Sequence, residues 1–212
     1  YADIGRDPAP WAMLAQISTV LMFFIDASMV GHLRAEASAS IGIIESTTWL
    51  VGSLLSAAAT GFSVQVAHFI GANDLVKARQ VFRHALICGV AFSLFVTLIG
   101  VGIHSHLPYW LGGGEDIAPN SSRYFLIYSL VLPFVFLYHI SEMMLKSAGN
   151  MHTPSIMAVL ICLCDVAFNY LFIYMMKMGV VGAAMGTAMA YICISLPNLY
   201  LSAFRNRLLN LR

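Results

Sequence analysis

The sequence predicts an all-α integral membrane protein built as a bundle of six transmembrane helices. Of its 212 residues, 59% are hydrophobic and only 10% are charged, whereas about a quarter of the residues in a soluble domain are charged. The apolar segments are long enough for helices to cross a bilayer and too long for the strands of a membrane barrel. Membrane lipid is therefore the expected environment, and a net charge of +1 gives no reason to expect a nucleic-acid partner.

Glycine, proline and asparagine divide the chain into these six helices. Gly71 to Asp74 is typical of a helix end followed by a new helix start, and Pro154 is typical of a first helical turn. Glycines 112–114 separate the third and fourth helices. The predicted spans are about 10–33, 38–70, 80–105, 122–146, 154–177 and 180–204.

Lysine and arginine predict the orientation, because cytoplasmic flanks of membrane helices are enriched in both. With the N-terminus inside, the inner flanks hold Arg6, Lys77, Arg79, Arg83, Lys146, Arg205, Arg207 and Arg212, and the outer flanks hold Arg34, Arg123 and Lys177. The sequence thus predicts a multi-pass protein of the cell membrane with both termini, including the basic segment 205–212, in the cytoplasm.

Asp26 is the most informative single residue. It is the one charged residue in the first predicted helix between positions 11 and 30. A carboxylate in hydrocarbon is costly unless it faces a wet cavity or a partner, so such residues usually serve a function. We interpret Asp26 as a functional acid, with burial for helix packing as the alternative.

Four other polar side chains are expected near the depth of Asp26. Glu45, Asn169 and Thr187 fall at similar distances from the outer helix ends, and Asp165 lies one turn deeper on the face of Asn169. Carboxylate, amide and hydroxyl oxygens suit a proton or a sodium ion. The alternative is interhelical hydrogen bonding, which contributes roughly 0.6–2 kcal/mol per contact.

Three further residues are candidates for lining a substrate cavity, namely Tyr124, Met29 and Glu142. Glu142 has the alternative of an i,i+4 ion pair with Lys146. An intramembrane enzyme is disfavoured, because Ser63 lacks the flanking glycines of a nucleophile elbow. We therefore expect no catalytic residues and no cofactor other than the coupling ion.

Five segments, in order along the chain, carry a resemblance to a known family. They are 25–33 (IDASMVGHL), 36–42 (EASASIG), 60–79 (with GAND at 71–74), 145–154 (LKSAGNMHTP) and 179–188 (GVVGAAMGTA). In the multidrug and toxic compound extrusion (MATE) family they resemble, in this order, the first helix, the loop into the second helix, the end of the second helix with the following inner loop, the stretch before the fifth helix, and the start of the sixth helix.

The resemblance implies one lobe of a twelve-helix transporter, with a second six-helix lobe as its partner and residues 205–212 as the linker between lobes. Such proteins export organic compounds, often cationic drugs, in exchange for incoming H+ or Na+. The family's first-lobe ion site matches Asp26 and Thr187, while Asp165 and Asn169 stand in exchanged order on helix five. Within the same superfamily, a lipid-linked oligosaccharide flippase is the alternative.

Overall fold

The computed structural model describes residues 8–32, 35–206 and 208–210, and they form a bundle of membrane-length helices. The helices are α1 (Pro8–Gly31), α2 (Ala35–Gly71), α3 (Leu75–Ile103), the short α4 (Leu107–Trp110), α5 (Ala118–Ser147), α6 (His152–Asn169) and α7 (Gly179–Tyr200). Wide π-helical turns extend α6 through Tyr170–Met175 and α7 through Leu201–Arg205.

Six of these helices are long and apolar enough to cross a membrane, which confirms the predicted six-helix bundle. The start of α3 differs most from its predicted span, at Leu75 rather than near residue 80. The Asp74 side chain accepts a hydrogen bond from the Lys77 backbone at 3.1 Å and so caps the helix. Because that first turn is polar, hydropathy alone places the helix start too late.

Helix α5 lies at the centre of the bundle and packs against α2, α3 and α7. The main core contains Phe82 from α3 and Phe136 from α5, both fully buried. Gly89 lies directly against the Phe136 ring, and a β-carbon there would overlap the ring. Helices α3 and α5 therefore approach closely enough to bury their aromatic side chains.

Helix α1 is the most peripheral of the long helices. It packs mainly against α6, and among its described residues only Ala15, Ser18 and Val30 are buried. Phe24 is 66% exposed and Met13 is 64% exposed. The attachment of α1 to the bundle therefore depends on few apolar contacts.

The segment after α7 folds back onto the bundle. Leu209 is completely buried in the main core, and the carbonyl of Leu208 accepts a hydrogen bond from Arg79 Nε at 3.3 Å. Part of the segment predicted as a linker is thus packed against the start of α3. Four of the cations used to predict orientation, Arg6, Arg34, Arg207 and Arg212, lie outside the described residues.

Candidate functional site

Asn169 connects two carboxylates on different helices. Its Nδ2 donates a hydrogen bond to Asp26 Oδ1 on α1 at 2.8 Å and another to Asp165 Oδ2, one turn earlier on α6, at 3.0 Å. The carboxyl groups of Asp26 and Asp165 also lie close enough to interact directly. We refer to Asp26, Asp165 and Asn169 as the acid–amide cluster.

The acid–amide cluster is buried and incompletely satisfied. Asp165 is 0% exposed and Asn169 is 1% exposed, while Asp26 is half-buried. Asp165 Oδ1 and Asn169 Oδ1 are buried with no hydrogen-bond partner among the described residues. None of the ion pairs formed between described residues involves Asp26 or Asp165. An unpaired oxygen is expensive in a protein interior, so a cation that reaches Asp165 Oδ1 would be stabilised there.

Small residues allow α7 to approach this cluster. A β-carbon at Gly186 would overlap Asn169 Oδ1 and would lie 2.8 Å from the amide carbon. One turn earlier, a β-carbon at Gly182 would lie 2.9 Å from the Phe172 carbonyl oxygen. The Gly-x-x-x-Gly spacing therefore lets the two helices touch, as it does in other membrane proteins.

A narrow cleft adjoins the cluster on its α5 and α7 side. Thr187 follows Gly186, lies beside the Asp165 carboxyl group and forms part of the cleft wall. The whole wall consists of Tyr124, Tyr128, Val131, Val135, Ala184, Thr187, Ala188 and Tyr191. Three of the eight wall residues are tyrosines, and Thr187 brings the cleft next to the Asp165 carboxyl group. The cleft is therefore aromatic, with an acid behind one part of its wall.

The structure brings together Asp26, Asp165, Asn169 and Thr187, the four residues predicted as a sodium site. Glu45 lies on α2, and no hydrogen bond or ion pair between described residues joins its carboxyl group to these four. Tyr128 and Tyr191 were not predicted from the sequence as cleft residues. Their helical spacing provides the signal, since each follows another cleft residue, Tyr124 or Thr187, by four positions.

The other two candidate cavity residues are not part of the cleft wall. Met29 packs against the cluster of Val30, Ile173 and Ala183, which the cleft residue Tyr124 also contacts. Glu142 is paired with Lys146, whose Nζ lies 2.6 Å from Glu142 Oε1, and it is 3.8 Å from His139 Nδ1. The predicted Glu142–Lys146 ion pair is therefore present.

The chemistry of the cluster suits a monovalent cation or a proton. Its available side-chain atoms are oxygens, which are the ligands of hard cations. No group of three or more His, Cys, Asp or Glu residues able to hold a metal occurs in the described part of the chain. The carboxylates of Asp26 and Asp165 and the hydroxyl of Thr187 are the groups that could hold Na+, whereas the Asn169 amide turns its Nδ2 toward both carboxylates and its oxygen toward Gly186.

Hydrogen bonds to α6 and its extension hold α1 at three points. Ser155 Oγ donates to the Trp11 carbonyl at 2.6 Å, Asn169 donates to Asp26, and Tyr174 Oη donates to the Met29 carbonyl at 3.2 Å. Of these three bonds, only the one from Asn169 has a titratable acceptor on α1, the Asp26 carboxyl group, since the other two acceptors are backbone carbonyls. A change in the charge of Asp26 therefore acts directly on one of the three attachments.

Comparison with known proteins places the chain in a family. A family profile, MatE, matches residues 12–171. The multidrug export protein MepA of Staphylococcus aureus (strain MRSA252) is 24% identical over 187 residues, which cover 87% of this chain and 41% of MepA.

Solved structures share the fold at low sequence identity. A MATE crystal structure in complex with MaL6 gives a TM-score of 0.90 at 22% identity and covers 94% of this chain and 45% of that one. A MOP superfamily transporter from Pyrococcus furiosus gives a TM-score of 0.86 at 22% identity, and the match covers 94% of this chain and 44% of that one. That protein is described as having a binding pocket of reverse polarity that suggests a different function.

The chain spans less than half the length of each of these three proteins. The matched region nevertheless contains most of α1 and all of α2 through α6, with Asp26, Asp165 and Asn169 inside it. The fold, the family profile and the order of the helices agree. The chain therefore belongs to the MatE family, and its six membrane-length helices form one lobe of that family's fold.

Proposed function

We propose that this chain is one lobe of a secondary antiporter that exports organic compounds in exchange for inward H+ or Na+ by alternating access. The observation that carries the proposal is the Asn169 side chain, which joins Asp26 and Asp165 across two helices. The name of MepA, a multidrug export protein, supports a drug-like substrate. A second six-helix lobe completes the transporter, as the partial coverage of the relatives suggests.

The acid–amide cluster provides a physical basis for cation coupling. Two carboxylates close together in a medium of low dielectric constant repel each other strongly. The Asn169 amide offsets part of that repulsion through its two hydrogen bonds, but it is neutral. Binding of one proton or sodium ion removes one unit of negative charge, so the cluster favours a single cation over none.

Cation occupancy would then act on α1. A hydrogen bond to a carboxylate is stronger than a hydrogen bond to a neutral group, so neutralising Asp26 weakens the central attachment of α1 to α6. Because few α1 residues are buried, loss of this bond permits α1 to repack. Discontinuous or repacking helices beside a fixed site are a recurring means of alternating access.

The aromatic cleft is the proposed first-lobe contact for substrate. In this structure the cleft has a volume of about 10 Å³, room for one water molecule. Substrate binding therefore requires the cleft tyrosines to move apart, and their rings would then attract an organic cation. Thr187 belongs to both the cleft wall and the surroundings of Asp165. Thr187 would therefore contact both substrate and cation, which would link the two sites.

The acidic character of this site favours a drug antiporter over a flippase for lipid-linked oligosaccharides, because pyrophosphate requires cationic groups.

The charge distribution supports a membrane orientation with cytoplasmic termini. The described cations on the inner flanks are Lys77, Arg79, Arg83, Lys146 and Arg205. The proposed surroundings are lipid on the outer face of the bundle and the second lobe on the cavity side.

Transport by the complete protein in liposomes tests the proposal. Efflux of a fluorescent organic cation is measured with an inward H+ gradient, with an inward Na+ gradient and with neither. We expect one of the gradients to drive efflux, and we expect Asp26→Asn and Asp165→Asn to abolish the driven component. Asp116→Asn, an identical change at an exposed loop position, serves as the control. Gradient-driven efflux that is unchanged in Asp26→Asn would overturn the proposed coupling site.

A further inference from the structure

A second groove lies at the end of the bundle where α6 begins and α7 ends. It has a volume of about 440 Å³, within the range of small-molecule sites. Its wall consists of Leu145, Asn150, His152, Thr153, Ile156, Met157, Leu201, Arg205 and Asn206. None of these residues belongs to the acid–amide cluster or to the aromatic cleft.

The charge of the groove points to an anion. Arg205 is exposed and forms no ion pair with any residue in 8–32, 35–206 or 208–210. The wall includes no Asp or Glu. The nearby Glu142 is already paired with Lys146. An arginine guanidinium in this setting is suited to a phosphate oxygen pair.

The remainder of the wall points to a lipid rather than a soluble anion. Ile156, Met157 and Leu201 make part of the wall apolar. The Asn150 and Thr153 side chains are hydrogen-bonded to each other at 2.9 Å and belong to its polar part. A ligand that satisfies both sides has an anionic head and an apolar tail.

The wide turn at the end of α7 contributes to this geometry. Residues Leu201–Arg205 form a π-helical turn in which Ser202 and Ala203 are buried. Such turns shift the direction of the side chains that follow, and they are frequent at functional sites. Here Leu201 and Arg205, the two ends of the turn, both line the groove.

We propose that this groove binds an anionic phospholipid, with the headgroup phosphate on Arg205 and one acyl chain along Ile156, Met157 and Leu201. Basic pockets between membrane helices are known to bind anionic headgroups. Trp11 lies beside the groove, because its ring contacts His152 at 4.3 Å between ring centroids. The proposed ligand therefore lies next to a natural fluorophore.

The test uses the complete protein in nanodiscs, in a variant whose only tryptophan is Trp11. A small fraction of the phosphatidylcholine is replaced by lipid with brominated acyl chains, either phosphatidylglycerol or phosphatidylcholine. We expect brominated phosphatidylglycerol to quench Trp11 at a several-fold lower mole fraction than brominated phosphatidylcholine does. Arg205→Gln should remove this preference, and Arg205→Lys should retain part of it. Lys77→Gln, at an exposed cation on the same side of the bundle, should leave it unchanged.

Four results would overturn the proposal. Equal quenching by the two brominated lipids would show that the groove does not select anionic lipid. A preference that survives Arg205→Gln, or one lost equally in Lys77→Gln, would indicate general surface attraction. Full competition by soluble glycerol phosphate would assign the groove to a free phosphate compound.

Discussion

Gly186 on α7 lies directly against the side chain of Asn169 on α6, with no room for a β-carbon between them. This contact fixes the position of the amide that holds Asp26 and Asp165 together. The small residue is therefore part of the site, although it carries no functional group of its own.

Gly186→Ala should displace Asn169 and disrupt the acid–amide cluster. Its added methyl group overlaps the amide and lies 2.9 Å from the Asn169 backbone nitrogen, and overpacking of this kind costs about 1–3 kcal/mol. We expect a lower unfolding temperature and loss of cation-driven efflux. Gly102→Ala, at a helical glycine with open space around its β-carbon position, should be neutral or stabilising. Equal behaviour of the two variants would contradict the role given to Gly186.

The order of acid and amide on α6 leads to a second prediction. Asp165→Asn leaves the cluster with one carboxylate, and we expect it to abolish the driven component of efflux. The double variant Asp165→Asn/Asn169→Asp restores one acid and one amide on the same helical face. We expect it to recover efflux, since position 169 already lies 2.8 Å from Asp26.

Liposome efflux rates of the single and double variants, at matched protein amounts, measure this recovery. A double variant as inactive as Asp165→Asn would show that the position of the second acid matters more than its presence. In that case the exchanged order would be a specific requirement of this protein.

Leu209 provides a test of the packed segment after α7. Leu209→Ala removes a fully buried side chain from the main core, which typically costs about 2–5 kcal/mol. Leu196→Ala, at a position that is 53% exposed on α7, is the matched control and should change stability little. Thermal unfolding of the two purified variants makes the comparison. Similar unfolding temperatures would mean that Leu209 does not anchor the segment.

Asp74 gives a prediction about pH outside the membrane. Hydrogen bonds from the Lys77 side chain and backbone lower the pKa of the Asp74 carboxyl group. Because its pKa is lower in the folded protein, the cap stabilises the start of α3 above the unfolded-state pKa of about 4, and this stabilisation is lost as the pH falls through the folded value.

Hydrogen exchange of the first α3 turn, corrected for intrinsic rates, should therefore show less protection as the pH falls through this range. The Asp74→Ala variant should have low protection at all pH values, and Asp116→Ala should behave as the unmodified protein does. Protection that does not depend on Asp74 would indicate that the turn is held by other contacts.

The six-helix fold and most of the site could be predicted because both follow from local patterns. Long apolar segments identify the helices, and an acid such as Asp26 is conspicuous in an uncharged segment. Helical spacing placed Asp165 and Asn169 on one face. The same reasoning could not place the Leu209 side chain in the core, because that packing depends on how the chain folds back after α7.

Other features also depend on the distance between helices, which no single segment specifies. The overlap of Gly186 with Asn169, and the role of Tyr191 in the cleft wall, require α5, α6 and α7 to be in their final positions. The groove at Arg205 further depends on the wide turn that ends α7. Composition and periodicity describe faces of helices but not the spaces between them.

The most direct test of the central claim is a distance between α1 and α6 that responds to cation. Spin labels at Leu21→Cys and Leu163→Cys, which are 51% and 60% exposed, are introduced after Cys88, Cys162, Cys164 and Cys193 are replaced by serine. Their separation is measured in the complete protein with and without the coupling cation. We predict that cation changes the distance, and that Asp26→Asn holds it at the cation-bound value. The account would be contradicted if the distance were the same with and without the cation. It would also be contradicted if the distance in Asp26→Asn changed with the cation as it does in the unmodified protein.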